Sequence, residues 1–121
     1  MFGYPITPGT EILTDWIRHS QENESLHYLQ TEDEIAAGFM VAGAVMAGTK
    51  AFTATAGPVT VLMQDAMSMA DGMRLPFVAI IAQRGGPSSG TVIYTQQEVN
   101  FAIHGGNGEG LRIVFFPSTV E

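Results

Sequence analysis

Three consecutive acids, Glu32-Asp33-Glu34, precede a stretch with no charged residue from Ile35 through Thr49. A carboxylate in the first turn of a helix ordinarily does no more than complement the helix dipole. Three adjacent acids cannot all share one cap and solvent, however. Glu34 leads directly into Ile35-Ala36-Ala37, so it is the acid expected to face an interface. A carboxyl desolvated there has a raised pKa and can hold or exchange a proton near neutrality. A second candidate is Gln83-Arg84-Gly85-Gly86-Pro87-Ser88-Ser89-Gly90, which sets a cation and two hydroxyls behind an apolar run. Its glycines allow close backbone approach to a bound group, and the guanidinium suits a carboxylate or phosphate. It lacks the Gly-Lys-Ser/Thr ending of a P-loop. A third, weaker signal is Ala54-Thr55-Ala56-Gly57-Pro58, where N–H groups at a helix start can meet an anion or a polar ligand edge. His19, His27 and His104 are scattered without ligand spacing, so no metal site is expected.

The elements that must position these residues alternate between helix and strand periodicity. Thr10 can cap a helix carrying Ile12, Leu13, Trp16 and Ile17 on one stripe, which fades by Asn23. Residues 27–30 form a weak strand. Thr31, with Glu34 three positions on, has capping-box spacing and predicts a helix over 32–47 that ends at Gly48. That helix is too short to span a bilayer and carries Ala36, Ala37, Gly38, Ala42, Gly43, Ala44 and Ala47, which would let another backbone approach. Residues 51–56 predict a strand stopped by Gly57-Pro58, and residues 59–71 a Met-rich helix. Residues 76–82 are apolar on both faces, as a central parallel strand should be. A short helix over 99–104, a glycine-rich turn over 105–110, a last strand over 112–116 and a helix opening at Pro117-Ser118 complete the pattern. Such alternation implies an α/β fold, a mostly parallel sheet with helices on both faces and ligands at the carboxyl ends of its strands.

The chain has 121 residues, enough for one domain and one core. Its formal charge of −7 argues against a nucleic-acid or anionic-membrane surface, and with no targeting segment visible the expected location is cytoplasmic. With no Cys it can hold neither a disulfide nor a thiolate-bound metal cluster. Only 14% of residues are charged, which leaves little polar coat for so small a domain. Part of the surface is therefore expected to be an interface, with Met40, Met46, Met63, Met67, Met69 and Met73 as core and interface filler.

Tyr4-Pro5-Ile6-Thr7-Pro8-Gly9-Thr10-Glu11-Ile12 resembles the Y-P-I-T-P-x-x-E-I opening of the alpha subunits of 2-oxoacid:ferredoxin oxidoreductases. Glu32-Asp33-Glu34-Ile35-Ala36-Ala37, Thr53-Ala54-Thr55-Ala56-Gly57-Pro58, Gln83-Arg84-Gly85-Gly86-Pro87-Ser88 and Gly105-Gly106-Asn107-Gly108-Glu109 follow in that family's order. The layout is also similar, less closely, to the pyrimidine-binding domain of thiamine-diphosphate enzymes at large, the acetolactate synthases among them. There are departures: Gly57-Pro58-Val59 stands where the family shows Gly-Pro-Gly, and Val92-Ile93 where it often has Pro-Thr. The family's leading helix and strand, and its continuation past the last strand, are missing, so residues 1–121 are expected to be a pyrimidine-binding domain cut at both ends.

The resemblance implies thiamine diphosphate shared with a partner domain that holds the diphosphate and Mg²⁺. It implies a beta subunit carrying that domain, iron–sulfur clusters on partner subunits or ferredoxin, coenzyme A as co-substrate, and a 2-oxoacid as substrate. Carried over residue by residue, Glu34 matches the glutamate that hydrogen-bonds N1′ of the aminopyrimidine. Thr55, Gly57 and Pro58 match the turn lining the cofactor cleft. Arg84 matches the cation facing the substrate carboxylate, and Thr7 and Ser89 match hydroxyls near the 2-oxoacid. The isolated chain would be inactive. Two other readings are a non-catalytic scaffold of the same fold and an acetolactate-synthase-like decarboxylase fragment. The Y-P-I-T-P and Q-R-G-G-P-S segments disfavour the latter.

Overall fold

The computed structural model describes residues 1–107 and 110–119, which leaves Gly108 and Glu109 of the glycine-rich motif outside the described residues. Four parallel strands form the sheet: β1 (Phe2–Gly3), β2 (Leu29–Gln30), β3 (Phe52–Ala56) and β4 (Val78–Ala82), in the order β2-β1-β3-β4. Each crossover carries helix: α1 (Thr10–Glu22) after β1, α2 (Glu34–Met46) after β2, and a 3₁₀ segment (Gly57–Met63) running into α3 (Gln64–Met73) after β3. A short α4 (Val99–His104) follows the loop beyond β4. The parallel α/β architecture expected from the alternating periodicity is the one observed. Among the described residues, no helix is long and apolar enough to cross a membrane.

Alternation along β3 shows how the two faces are covered. Phe52 and Ala54 point toward α1, where Met1, Leu13 and Ala54 form a core flanked by Ile12, Trp16 and Tyr28. Trp16 stacks edge-on against Phe52 with ring centroids 4.8 Å apart, and its Nε1 donates to the His27 carbonyl at 3.1 Å. Thr53 and Thr55 face the opposite side, where α2 lies, and both are fully buried. Here α2 crosses α3 closely: a Cβ built on Gly38 would stand 2.8 Å from that of Ala66. Of the two glycines among the small residues expected to admit a backbone, Gly38 sits at the crossing, whereas Gly43 has open space beside it.

Several local expectations are corrected. Gly9, not Thr10, occupies the cap of α1, and Thr10 is the first helical residue. The N-cap of α2 is Asp33, whose carboxylate accepts from the Ala36 N–H at 2.7 Å; Thr31 instead donates its hydroxyl to the Asp33 carbonyl at 2.8 Å. The helix therefore opens at Glu34 rather than Glu32. The helix expected over 59–71 begins as a 3₁₀ segment, with the Thr60 hydroxyl donating to the Gly57 carbonyl. β4 is an edge strand among the described residues, and Val78 and Ile80 are exposed beside the span that α1 covers.

No strand forms over 112–116 and no helix at 117–118. Apolar residues need a neighbouring strand to make a ladder, and this segment is held by a side chain instead. Arg112 pairs with Asp71 at 2.9 Å and also donates to the Phe101 and Ala102 carbonyls, leaving Leu111, Ile113 and Phe115 exposed.

Candidate functional site

The chain order crosses the sheet between β1 and β3, the kind of reversal that opens a crevice at the carboxyl ends of parallel strands. The candidate residues collect there because each follows a strand. Thr7 lies in the loop after β1, Glu34 just beyond β2, Thr55 in the last turn of β3 with Gly57 and Pro58 behind it, and Arg84 just past β4. The β1 loop folds back over β3: a Cβ on Gly9 would lie 3.0 Å from the Thr55 carbonyl carbon and oxygen.

Arg84 joins two of these loops. It is 7% exposed, and its guanidinium donates to the Thr7 carbonyl at 2.7 Å and to the Ser89 carbonyl through its other terminal nitrogen. The structure thus brings Thr7, Arg84 and Ser89 together. The direct contacts run through the backbone oxygens of Thr7 and Ser89, not through the hydroxyls that sequence reasoning emphasised. Both residues are exposed. The Arg84 loop is closed on itself by Gly85 N–H to Ile93 O at 2.9 Å and Thr91 N–H to Gly85 O at 2.8 Å. Gly90 makes the turn at φ +55°, and a Cβ there would fall 1.8 Å from the Gly85 oxygen, so only glycine serves at that position.

Glu34 is 4% exposed, and its Oε1 is buried with no hydrogen-bond partner among the described residues. Burial pushes its carboxyl above the usual carboxylate range. A hydrogen bond from its own backbone N–H opposes the rise, the neighbouring Asp33 charge adds to it, and Arg84 works against it. The net result is a carboxyl that keeps its proton more readily than an exposed glutamate and senses the charge of Arg84.

Six further buried atoms have no partner among the described residues: Thr53 Oγ1 within β3 and Gln64 Oε1 at the start of α3 lie elsewhere, while Thr55 Oγ1, Gln83 Oε1, Arg84 Nε and Glu98 Oε2 lie near the strand ends. Buried polar atoms in folded proteins are nearly always satisfied, so the gathering of these last four at the carboxyl ends of β3 and β4 marks where a polar ligand would be recognised. Glu98 is the residue that sequence reasoning passed over. It is 3% exposed, and its carboxyl occupies the position a side chain on Gly57 would take. The only local signal is an acid immediately before a short helix, which reads as ordinary dipole compensation. Pro58 lies against Gly86, so the cleft turn and the Arg84 loop are neighbours.

Residues 1–121 match a family described as pyruvate flavodoxin/ferredoxin oxidoreductase, thiamine diphosphate-binding. The chain is 38% identical over 121 residues to ketoisovalerate oxidoreductase subunit VorB of Methanothermobacter thermautotrophicus, covering 99% of this chain and 34% of that protein. It is 39% identical over 120 residues to 2-oxoglutarate synthase subunit KorA of Methanocaldococcus jannaschii, covering 98% of this chain and 32% of that subunit. Among solved structures it resembles the 2-oxoglutarate:ferredoxin oxidoreductase of Magnetococcus marinus, which has 2-oxoglutarate, coenzyme A and succinyl-CoA bound. The TM-score is 0.77 at 38% identity, over 90% of this chain and 19% of that one. The chain spans about a third of the length of these two curated relatives and less of others.

Proposed function

Because this chain belongs to the thiamine diphosphate-binding family of pyruvate flavodoxin/ferredoxin oxidoreductases, we propose that it is the pyrimidine-binding half of a 2-oxoacid:ferredoxin oxidoreductase. The observation that carries this reading is Glu34, a buried carboxyl with a raised pKa and an oxygen that has no donor or acceptor in the described residues. An aminopyrimidine needs from its protein one carboxyl group in a dry site that can share a proton with a ring nitrogen, and Glu34 meets that need. Thiamine diphosphate, when bound, supplies the nucleophilic carbon and the electron sink that decarboxylation of a 2-oxoacid requires.

The chain's own residues then divide the work. Glu34 holds and moves the proton at the pyrimidine nitrogen, and its burial keeps water from competing. Thr55, Gly57 and Pro58 wall the cofactor side. Arg84 pairs with the substrate carboxylate, held in place by the Thr7 and Ser89 carbonyls, while the hydroxyls of Thr7 and Ser89 flank the 2-oxoacid on the same loops. The diphosphate and Mg²⁺ belong to a domain on the beta subunit. The electrons pass to ferredoxin through iron–sulfur clusters on partner subunits; residues 1–121 contain no Cys that could bind one. Coenzyme A accepts the acyl group, and the whole assembly is cytoplasmic.

The test is the full-length subunit assembled with its diphosphate-binding partner. Titration calorimetry with thiamine diphosphate and Mg²⁺ is expected to show binding to the assembly and none to this subunit alone. Glu34→Gln is expected to abolish exchange of the thiazolium C2 proton, followed by NMR. Full exchange and full turnover in that variant would remove Glu34 from the role, and no cofactor binding by the wild-type assembly would leave the scaffold reading in its place.

A further inference from the structure

Gln97 and Glu98 are adjacent in sequence, and each engages a different wall of the cleft. The Gln97 side-chain oxygen accepts the Gly86 N–H at 2.9 Å, fixing the loop that carries Arg84. Glu98 turns to the other wall. A Cβ built on Gly57 would stand 2.1 Å from its carboxyl carbon and 2.2 Å from Oε1, so the carboxyl fills the space beside the Gly57–Pro58 turn. Pro58 in turn lies beside Gly86, with 3.7 Å between the proline Cβ and a Cβ built on the glycine. The Glu98 carbonyl accepts the Ala102 N–H at 2.9 Å, so the pair is rooted in the first turn of α4.

We propose that Gln97 and Glu98 are positioning residues that couple the Gly57–Pro58 turn to the Arg84 loop, so that the two walls of the cleft keep one spacing. A one-residue step along the backbone links them, and neither wall can shift without displacing the pair. The contact at Gly57 acts through shape: the carboxyl replaces a side chain that residue 57 lacks. The proposal rests on the functional reading above only in what the two walls hold.

The test uses the intact complex and has two arms. The first needs no cofactor: hydrogen exchange of peptides spanning residues 55–60 and 84–93. Glu98→Ala is expected to speed exchange in both peptides together, and Gln97→Ala to do so as well, although its own hydrogen bond reaches only the second. The second arm reads the dissociation constant of thiamine diphosphate and the KM for the 2-oxoacid. Glu98→Ala is expected to raise both on the order of tenfold, the usual scale of coupling between sites. The near-isosteric Glu98→Gln should stay within about twofold of wild type.

Gly57→Ala sets a methyl group against Glu98 and should weaken cofactor binding. Gly57→Ala combined with Glu98→Ala should recover much of that loss, which keeps the proposal testable if a single variant folds poorly. Faster exchange confined to one peptide, or Glu98→Gln losing as much as Glu98→Ala, would overturn the coupling. A wild-type complex that binds no thiamine diphosphate would sink the functional reading and leave the exchange arm to decide the coupling by itself.

Discussion

The two sides of α2 have nearly the same hydropathy and opposite fates. Ala37, Gly38, Val41 and Ala42 are buried against β3 and α3, whereas Ile35, Phe39, Met40 and Met46, all larger, are exposed. Simple transfer energetics would bury the larger side chains first. The reversal arises because the inner side must pass close to Ala66, where Gly38 leaves no room for bulk. The outer side is an apolar strip, and Val61 and Leu62 of the 3₁₀ segment are exposed as well, the pattern of a surface made to be covered. Glu34 opens the helix on the buried side, which brings a carboxyl group into the dry region.

Substitutions on the two sides should separate sharply. The largest effect is expected from Glu34→Gln, with turnover of the assembled enzyme falling about 10²–10⁴-fold, the range for loss of a general acid–base group. A steady-state assay that finds unchanged turnover would reduce Glu34 to a dipole partner. Next is Gly38→Val, whose branched side chain meets Ala66; overpacking of this kind costs about 1–3 kcal/mol, read from urea denaturation of the subunit. Asp33→Ala removes the α2 cap and should cost about 1 kcal/mol by the same measurement.

A smaller effect concerns stability and pH. Burial raises the Glu34 pKa above its ordinary 4.5, so the folded state keeps a proton that the unfolded chain has released. Stability attributable to this group is therefore complete below about 4.5 and declines as pH rises toward the folded-state value. Glu34→Gln should match wild type in acid and surpass it at neutral pH in thermal melts; the opposite trend would mean that the carboxylate is stabilised. Smallest of all is Phe39→Ser on the outer side, expected to shift subunit stability by less than about 0.5 kcal/mol while weakening assembly with the partner in sedimentation experiments. A loss of several kcal/mol there would show that the outer side belongs to this domain's own core.

Much of the fold was legible because it rests on local rules. The stripe of Ile12, Leu13 and Trp16 marks α1, and the uncharged run after Glu34 marks α2. The β-branched and small residues of β3 stop where Gly57-Pro58 breaks the pattern. Two of the errors arise from partners distant along the chain, while the others are local. Residues 112–116 have the composition of a strand, but a strand is a relation between segments, and this one is held by Arg112 on Asp71 instead. β4 reads as central because both its faces are apolar, while its place in the sheet depends on what lies next to it. The 3₁₀ opening after Gly57 follows from one hydroxyl folding back to a carbonyl three residues earlier.

Within the site, Glu34 and Arg84 could be picked out because a helix start and a loop behind an apolar strand are positional signals. Glu98 could not, since its burial depends on Gly57, far away in sequence, lacking a side chain. The placement of Thr7 and Ser89 was half legible. Their closeness to Arg84 follows from the topology, but the part played by their carbonyls is a backbone property that residue type does not encode.

That backbone anchoring sets the electrostatics of the cleft. Among the described residues Arg84 forms no ion pair; its partners are neutral carbonyls, and Glu34 facing it is biased toward its uncharged form. A chain with a net charge of −7 therefore keeps one buried guanidinium, held by neutral carbonyls, at its crevice. Its attraction for a small anion should outlast added salt far better than any surface lysine could manage, because mobile ions cannot crowd into the space around it.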